Sequence, residues 1–350
     1  YRDLACGDRE DFESRFWWLA DPFYGIPGNE RRSEHFYRLV LNAVFEESAS
    51  PRRERWGNDN RDLLVRFGGP IGWEQRRLSG SMSLSDASVI AYHRNGGRQF
   101  VPPREILEDP TTLTAGEWNI DPERARSRFA IPRFAHYSQI EYQAAAFKRG
   151  DSATIVLHGG WVSPQEDAEL HGEMAVALVP TENTRPTVAT GRYGAPLQLR
   201  VNREPILVSV ELWNNHDSIA GRDRSWIDLK ERLPDDFGVS DILLLEETDS
   251  LPVTLEHAIP HMRSSLEASP GERLGLFWEV YGALAGPEEI QFTLKVDRLH
   301  KSFLRRAAEW TGIVGRRVDT VQLRWNEPVA ANGGVNSFAV GIQLQDSMRG

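Results

Sequence analysis

The chain has a single cysteine, Cys6, among its 350 residues. One thiol excludes an intrachain disulfide framework and any zinc site built from several cysteines. The longest apolar runs, such as residues 155–157 and 242–245, are far shorter than the ~20 residues that a membrane-spanning helix needs. The sequence therefore predicts neither a disulfide scaffold nor a transmembrane helix.

Lysine is also scarce, with only Lys148, Lys230, Lys295 and Lys301 among the basic residues. The formal net charge is −10, and the acidic excess lies in residues 151–350. An acidic chain repels nucleic acid phosphates, and no Lys/Arg stripe with interleaved aromatic residues offsets this repulsion. We expect no nucleic acid partner.

Signatures of catalysis and cofactor binding are missing as well. There is no Gly-x-Ser-x-Gly turn, so His158-Gly-Gly-Trp161, which is similar to an oxyanion loop, has no nucleophile to serve and is interpreted as a strand end. His257 and His261 have the spacing of a zinc pair, but Pro260 opposes a helix there. No glycine-rich phosphate loop occurs. We predict no catalytic, cofactor-binding or metal-binding residue and no cofactor.

Acidic residues leave two possibilities open. Aspartates 217, 223, 228, 235 and 236 lie in an acidic segment that could hold calcium, but their spacing does not match an EF-hand, so the segment is interpreted as a solvated acidic loop. Paired carboxylates leave no sequence signature, so a carboxylate-based hydrolase stays an alternative.

What the chain does have is apolar and aromatic material: 40% of its residues are hydrophobic, including 11 Trp and 15 Phe. This content excludes a disordered or collagen-like chain. Domains average about 150 residues, so two or three are expected. The tryptophans are interpreted mainly as core residues, with a glycan-binding module as an alternative because their rings offer large apolar faces.

The first 70 residues show helical periodicity. Asp11 is the predicted cap of a first helix, and Asn29 caps a second whose apolar residues include Phe36 and Val40. The short run at residues 63–67 fits a strand or a helix. Residues 89–92 and 99–101 are predicted to form a hairpin, and residues 137–148 a further helix that ends at a boundary, Arg149-Gly150-Asp151.

From residue 153 the periodicity changes to two. Val208, Val210 and Leu212 alternate with Ser209 and Glu211, which indicates a strand with one polar face. The strand at 274–281 carries aromatic residues on both faces and is expected to be covered on both. The predicted strands are residues 153–157, 173–179, 197–201, 206–212, 241–245, 274–281, 290–296, 320–325 and 338–344. A helix is expected near 299–311.

Residues 12–71 resemble the signature of the GWxTD domain. Asn58, Arg55, Asp62 and Ile71 depart from that family's pattern, which has Thr, Gly, Gly and Asp at these places. A fainter similarity continues at residues 276–282. The matching residues that we take as a structural motif are Trp17, Trp18, Asp21, Trp56, Asp59, Arg61, Gly68 and Pro70.

The resemblance implies a bacterial exported or envelope-associated protein with no established reaction. The expected fold class is α+β, with a small helical GWxTD-like head at residues 1–150 and antiparallel, Ig-like β-sandwich domains at 151–250 and 251–350. We expect a non-enzymatic periplasmic or envelope protein that binds other proteins as a peripheral accessory subunit of a membrane-associated complex, respiratory or photosynthetic for instance. Arg and Trp are enriched at the energetic centres of such interfaces.

Overall fold

A computed structural model describes most of the chain. Of the described residues, 22% are helical and 48% lie in strands that are mostly antiparallel, so the β-rich part of the prediction is confirmed. The chain divides into two compact units that interleave along the sequence. The residues described are 4–50, 55–77, 87–92, 133–134, 136–162, 172–179, 186–234, 237–269, 271–282, 288–297, 320–329 and 334–343.

Unit 1 comprises residues 1–140, 161–193 and 205–227. It begins with three helices: α1 (Cys6–Leu19), α2 (Glu30–Glu47) and α3 (Asn58–Phe67). Asn29 caps α2 as predicted, because its Oδ1 accepts from the Arg32 amide at 2.8 Å. α1 begins at Cys6, before the predicted cap at Asp11. Residues 63–67, for which the sequence left both a strand and a helix open, lie in α3.

The remaining described elements of unit 1 are a hairpin and a five-stranded sheet. The hairpin strands are β1 (Gly72–Arg77) and β2 (Ala87–Tyr92). The sheet strands are β3 (His136–Tyr137), β6 (Glu173–Val179), β7 (Thr187–Arg192), β9 (Pro205–Asn214) and β10 (Ile219–Asp228). Their order in the sheet is β3-β10-β9-β6-β7. Strands β6 and β9 form the centre of this sheet and are buried on both faces except at their first residues.

One prediction about this sheet is wrong. Residues 219–228 form strand β10 instead of an acidic loop, because Arg222 and Arg224 turn inward and are buried. The polar residues of β9, Ser209 and Glu211, are also fully buried. Arg224 compensates their burial, since it lies 3.7 Å from the Glu211 carboxylate and donates to the Ser209 hydroxyl at 3.0 Å.

Unit 2 comprises residues 141–160, 194–204 and 228–350. Its strands are β4 (Ile140–Arg149), β5 (Ser152–Trp161), β8 (Leu197–Asn202), β11 (Gly238–Val239), β12 (Leu243–Leu245), β13 (Arg273–Tyr281), β14 (Glu288–Asp297), β15 (Thr320–Val329) and β16 (Asn336–Gln343). They form a sheet in the order β4-β5-β8, a sheet in which β13 pairs with β11, β12 and β16, and the hairpin β14-β15.

Strand β13 is the centre of unit 2 and is covered on both faces, as predicted. Phe277 packs into one cluster with Phe147, Val156 and Leu245. Trp278 faces a second cluster that includes residues of the β14-β15 hairpin. Alternate side chains of an extended strand point to opposite faces, so a single strand supplies both clusters.

The helix predicted at residues 137–148 is wrong, because these residues form most of β4. Ala145 and Phe147, two positions apart, both enter the Phe277 cluster, which requires an extended backbone. Gly150 then adopts φ +65° in the turn that joins β4 to β5, its neighbour in the sheet. The division into three consecutive domains stays a prediction.

Other predicted elements lie outside the described residues: the second hairpin strand at 99–101 and the helix at 299–311. Two one-turn helices are present, Leu229–Arg232 and Leu255–Ala258. Within the described ranges, no helix is both long enough and apolar enough to cross a bilayer.

Candidate functional site

The motif residues Trp17, Trp56 and Gly68 all contact α2 or its cap. The Trp17 carbonyl accepts from Asn29 Nδ2 at 2.6 Å, and its ring lies 5.2 Å from that of His35 on α2. Trp56 donates through Nε1 to Asn42 Oδ1 at 2.7 Å. These contacts hold the helix at its beginning and near its end.

Gly68 ends α3 at the point where α3 approaches α2. Its φ of +83° is a conformation that side-chain-bearing residues rarely adopt, and a Cβ there would lie 3.1 Å from Arg38 Nη2. Arg38 donates to the Val65 carbonyl at 3.0 Å and pairs with Glu34 at 2.8 Å. A glycine is therefore needed both for the helix end and for the room that Arg38 occupies.

Helix α2 is inverted relative to an ordinary surface helix. Its buried side chains are the polar Arg38 and Asn42. Burial lowers the pKa of both Arg31 and His35, and neighbouring arginines lower each pKa further. The opposite side of the helix is apolar and exposed. We call it the α2 face; it comprises Phe36, Tyr37, Val40 and Val44, which are 49%, 59%, 64% and 54% exposed.

Asp21, a further motif residue, lies in a buried polar cluster of unit 1. The loop that follows it is held by Glu211 of β9, whose carboxylate accepts from the Tyr24 amide at 3.0 Å and from the Gly25 amide at 2.8 Å. The Ser209 hydroxyl donates to the same carboxylate at 2.7 Å. Glu211 thus binds a loop that precedes it by more than 180 residues.

Two arginines of β10 complete this cluster. Arg224 is fully buried; its Nη2 lies 3.7 Å from Glu211 Oε1 and donates to the Asp21 carbonyl at 2.8 Å. Its guanidinium carbon lies 4.0 Å from the centre of the Tyr24 ring, within cation–π distance. Arg222 donates to the carbonyl of Pro22 at 3.0 Å.

The electrostatics of the cluster follow from burial. Burial raises the pKa of Asp21 to about 8, against the opposing attraction of Arg224. Burial also raises the pKa of the Tyr24 hydroxyl. Two nearby carboxyl groups are the elements of an acid–base pair, but Glu211 is engaged by two amides, a hydroxyl and a guanidinium. This arrangement fits the anchoring of a loop on a sheet better than it fits hydrolysis.

A polar groove lies at one end of the same sheet, with a cavity volume of about 500 Å³. Tyr193 lines it, and its hydroxyl accepts from the Trp161 amide at 3.4 Å. Trp213 contributes little ring surface because it is 3% exposed. The other lining residues are Gly172, Glu173, Arg192, Asn214, Asn215 and His216. A phenol ring beside amides and a carboxylate is a combination that recognises hydroxyl-rich ligands.

The remaining motif residues do not join either site. Asp59 and Arg61 are exposed on α3, and Pro70 is partly exposed after it. The side chain of Trp18 lies outside the described part of the chain. Of the predicted motif, the structure brings Trp17, Trp56 and Gly68 together around α2 and places Asp21 in the buried cluster.

The histidines do not form a metal centre in the described residues, where no group of three or more His, Cys, Asp or Glu side chains converges. His257 and His261 are both exposed. His158 Nδ1 lies 2.7 Å from the Met262 carbonyl, which accounts for its orientation on β5.

Comparisons with family models, with curated proteins and with solved structures give no match for this chain.

Proposed function

We propose that the protein is a non-enzymatic envelope protein that acts through protein–protein contacts, as a peripheral accessory subunit of a larger membrane-associated complex. In this proposal a GWxTD-like helical head presents the contact surface, and Ig-like β-sandwich domains support it. The proposed location is the periplasm or the cell envelope, as the resemblance to the GWxTD domain implies.

The α2 face carries this proposal. Tyr37, Val40 and Val44 follow the i, i+3, i+7 spacing of one helix side, and all three are more than half exposed. The polar side chains that would ordinarily face solvent, Arg38 and Asn42, are fixed on the opposite side by Val65 and Trp56. An amphipathic helix whose apolar side faces outward is a typical element of recognition by a partner.

The test uses the full chain, tagged and expressed in its source cells. Val44→Glu places a charge in the α2 face, and Leu266→Glu makes the same change at an equally exposed residue of unit 2. We expect stoichiometric partner chains to co-purify with the wild type and with Leu266→Glu, and to be lost from Val44→Glu. Equal recovery of the same partners with all three proteins would refute a role for the α2 face.

A second candidate, a glycan-binding module, is favoured by the polar groove at Tyr193. Stacking on an aromatic ring and hydrogen bonds from amides are the usual elements of sugar recognition. Titration of envelope oligosaccharides into the wild type and into Tyr193→Ala tests this function. Saturable heat that disappears in the variant would establish it, and no heat with the wild type would remove it.

A further inference from the structure

The α2 face has charged residues of opposite sign at its two ends. Arg32 precedes the apolar residues and Glu47 follows them, and both side chains are exposed. The rise of 1.5 Å per residue separates these two positions by about 22 Å along the helix. They are too far apart to pair with each other, and both lie at the surface where a second molecule can reach them.

The order of side chains along this helix is self-complementary under a two-fold axis. Residues four positions before and after Val40 are Phe36 and Val44, both apolar. Arg32 lies eight positions before Val40, and Glu47 lies seven positions after it. In an antiparallel pair of α2 helices centred on Val40, each Phe36 meets the other copy's Val44, and each Arg32 meets the other copy's Glu47.

We infer that the α2 face binds the α2 face of a second copy of this chain, with the two helices antiparallel about a two-fold axis at Val40. This inference rests on the proposed function: the dimer formed through the α2 face is the form of the subunit that joins the larger complex, so loss of the α2 face also loses the other chains. A parallel pair would place Arg32 beside Arg32 and Glu47 beside Glu47, which the like charges oppose. Antiparallel packing also sets the two helix dipoles in opposite directions.

The other side of α2 is suited to present this face. Trp17 packs beside Phe36 with ring centroids 6.1 Å apart, and the Arg32 guanidinium lies 5.8 Å from the centre of the Phe36 ring. Arg38 and Asn42 fix the helix from behind. A pair of single helices buries less area than large permanent interfaces, so we expect a dimer that dissociates on dilution.

The experiment is sedimentation equilibrium of the purified full chain over a wide range of concentrations. We expect a species of 39.7 kDa at low concentration and one of twice this mass at high concentration. Val40→Glu buries two unpaired charges at the axis and should raise the dissociation constant by about a hundredfold or more. Leu266→Glu is the matched control, and circular dichroism verifies that each variant is folded.

Charge exchange tests the antiparallel arrangement. Arg32→Glu places like charges opposite Glu47 and should weaken the dimer by about tenfold, while the double variant with Arg32→Glu and Glu47→Arg should restore it. A parallel pair would show no such rescue. A wild type that stays monomeric at all concentrations, or a dimer that neither Val40→Glu nor Arg32→Glu weakens, overturns the inference.

This result is separable from that of the proposed function. A monomeric purified chain that loses its cellular partners on Val44→Glu overturns the self-association and leaves the proposed function intact. A dimer that is recovered from cells with no other chain overturns the proposed function and leaves the self-association intact.

Discussion

The Trp56 indole nitrogen donates a 2.7 Å hydrogen bond to the side-chain oxygen of Asn42. Asn42 is 6% exposed and lies on the side of α2 opposite to Val40. The Trp56 ring also packs on Phe45, with centroids 4.7 Å apart. Trp56 thus fixes the orientation of α2 and, with it, the exposure of the α2 face.

This bond predicts the effect of Asn42→Ala. The substitution removes the acceptor of a half-buried indole N–H and should lower the free energy of unfolding by about 0.5–1.5 kcal/mol. Urea denaturation measures the loss. Asn60→Ala is the control, since that side chain bonds at the surface to the Arg55 carbonyl and should cost less than about 0.5 kcal/mol. Equal losses for both variants would contradict the anchoring role of Asn42.

The buried pair of Arg224 and Glu211 predicts a larger loss. Arg224→Ala leaves a fully buried carboxylate without its guanidinium and should destabilise the protein by about 3–5 kcal/mol. The comparison is Arg273→Ala, which breaks the exposed 3.0 Å pair with Glu247 and should cost no more than about 1 kcal/mol. Similar midpoints for the two variants would show that Arg224 does not neutralise Glu211.

Asp21 predicts a dependence of stability on pH. Its pKa is raised from 3.8 to about 8 in the folded protein, so the folded chain retains a proton that the unfolded chain releases. The stabilisation is complete below about pH 4 and is lost as the pH rises through about 8. Asp21→Asn keeps the Oδ1 acceptor for the Phe23 amide and has no proton to lose.

The stability of Asp21→Asn relative to the wild type should therefore increase between about pH 5 and pH 9. Urea denaturation of both proteins across this range gives the comparison. Parallel stability curves would mean that Asp21 is already ionised in the folded protein, contrary to this account.

Gly25 predicts a packing effect in the loop that Glu211 holds. A Cβ at this position would clash with the Ala175 Cβ and would lie 2.9 Å from Cη2 of Trp213. Gly25→Ala should cost about 1–3 kcal/mol through overpacking, as measured by thermal unfolding. Gly69→Ala, where a Cβ meets nothing within 4 Å, should leave the transition near its wild-type temperature. A stable Gly25→Ala variant would show that the loop does not lie on the sheet.

Much of the fold follows from periodicity, and the exceptions have physical causes. The alternation of Val208 and Val210 predicted β9 correctly, because a β-branched residue at every second position packs on a pleated surface. The same alternation does not show that Ser209 and Glu211 are fully buried. A sequence read alone does not show that Arg224, on a neighbouring strand, supplies the charge that makes their burial possible.

The helix predicted at 137–148 failed for a related reason. Ala144, Ala145 and Ala146 favour a helix, and the packing of Ala145 and Phe147 in the Phe277 cluster decides the conformation of the segment. The α2 face was equally hidden: Phe36 and Val40 have the spacing of a core-facing stripe, and the sequence does not show that Arg38 and Asn42 occupy the inside instead. The bonds from Arg38 to the Val65 carbonyl and from Trp56 to Asn42 reveal this orientation.

The most direct test of the central claim is the native mass of the assembly after gentle extraction from the source cells, with its chains identified. If the protein is an accessory subunit of a larger complex, the mass exceeds 39.7 kDa and the assembly contains other chains in fixed stoichiometry with this one. Recovery of the chain with no other chain attached, as a monomer or as a homodimer, would contradict the account.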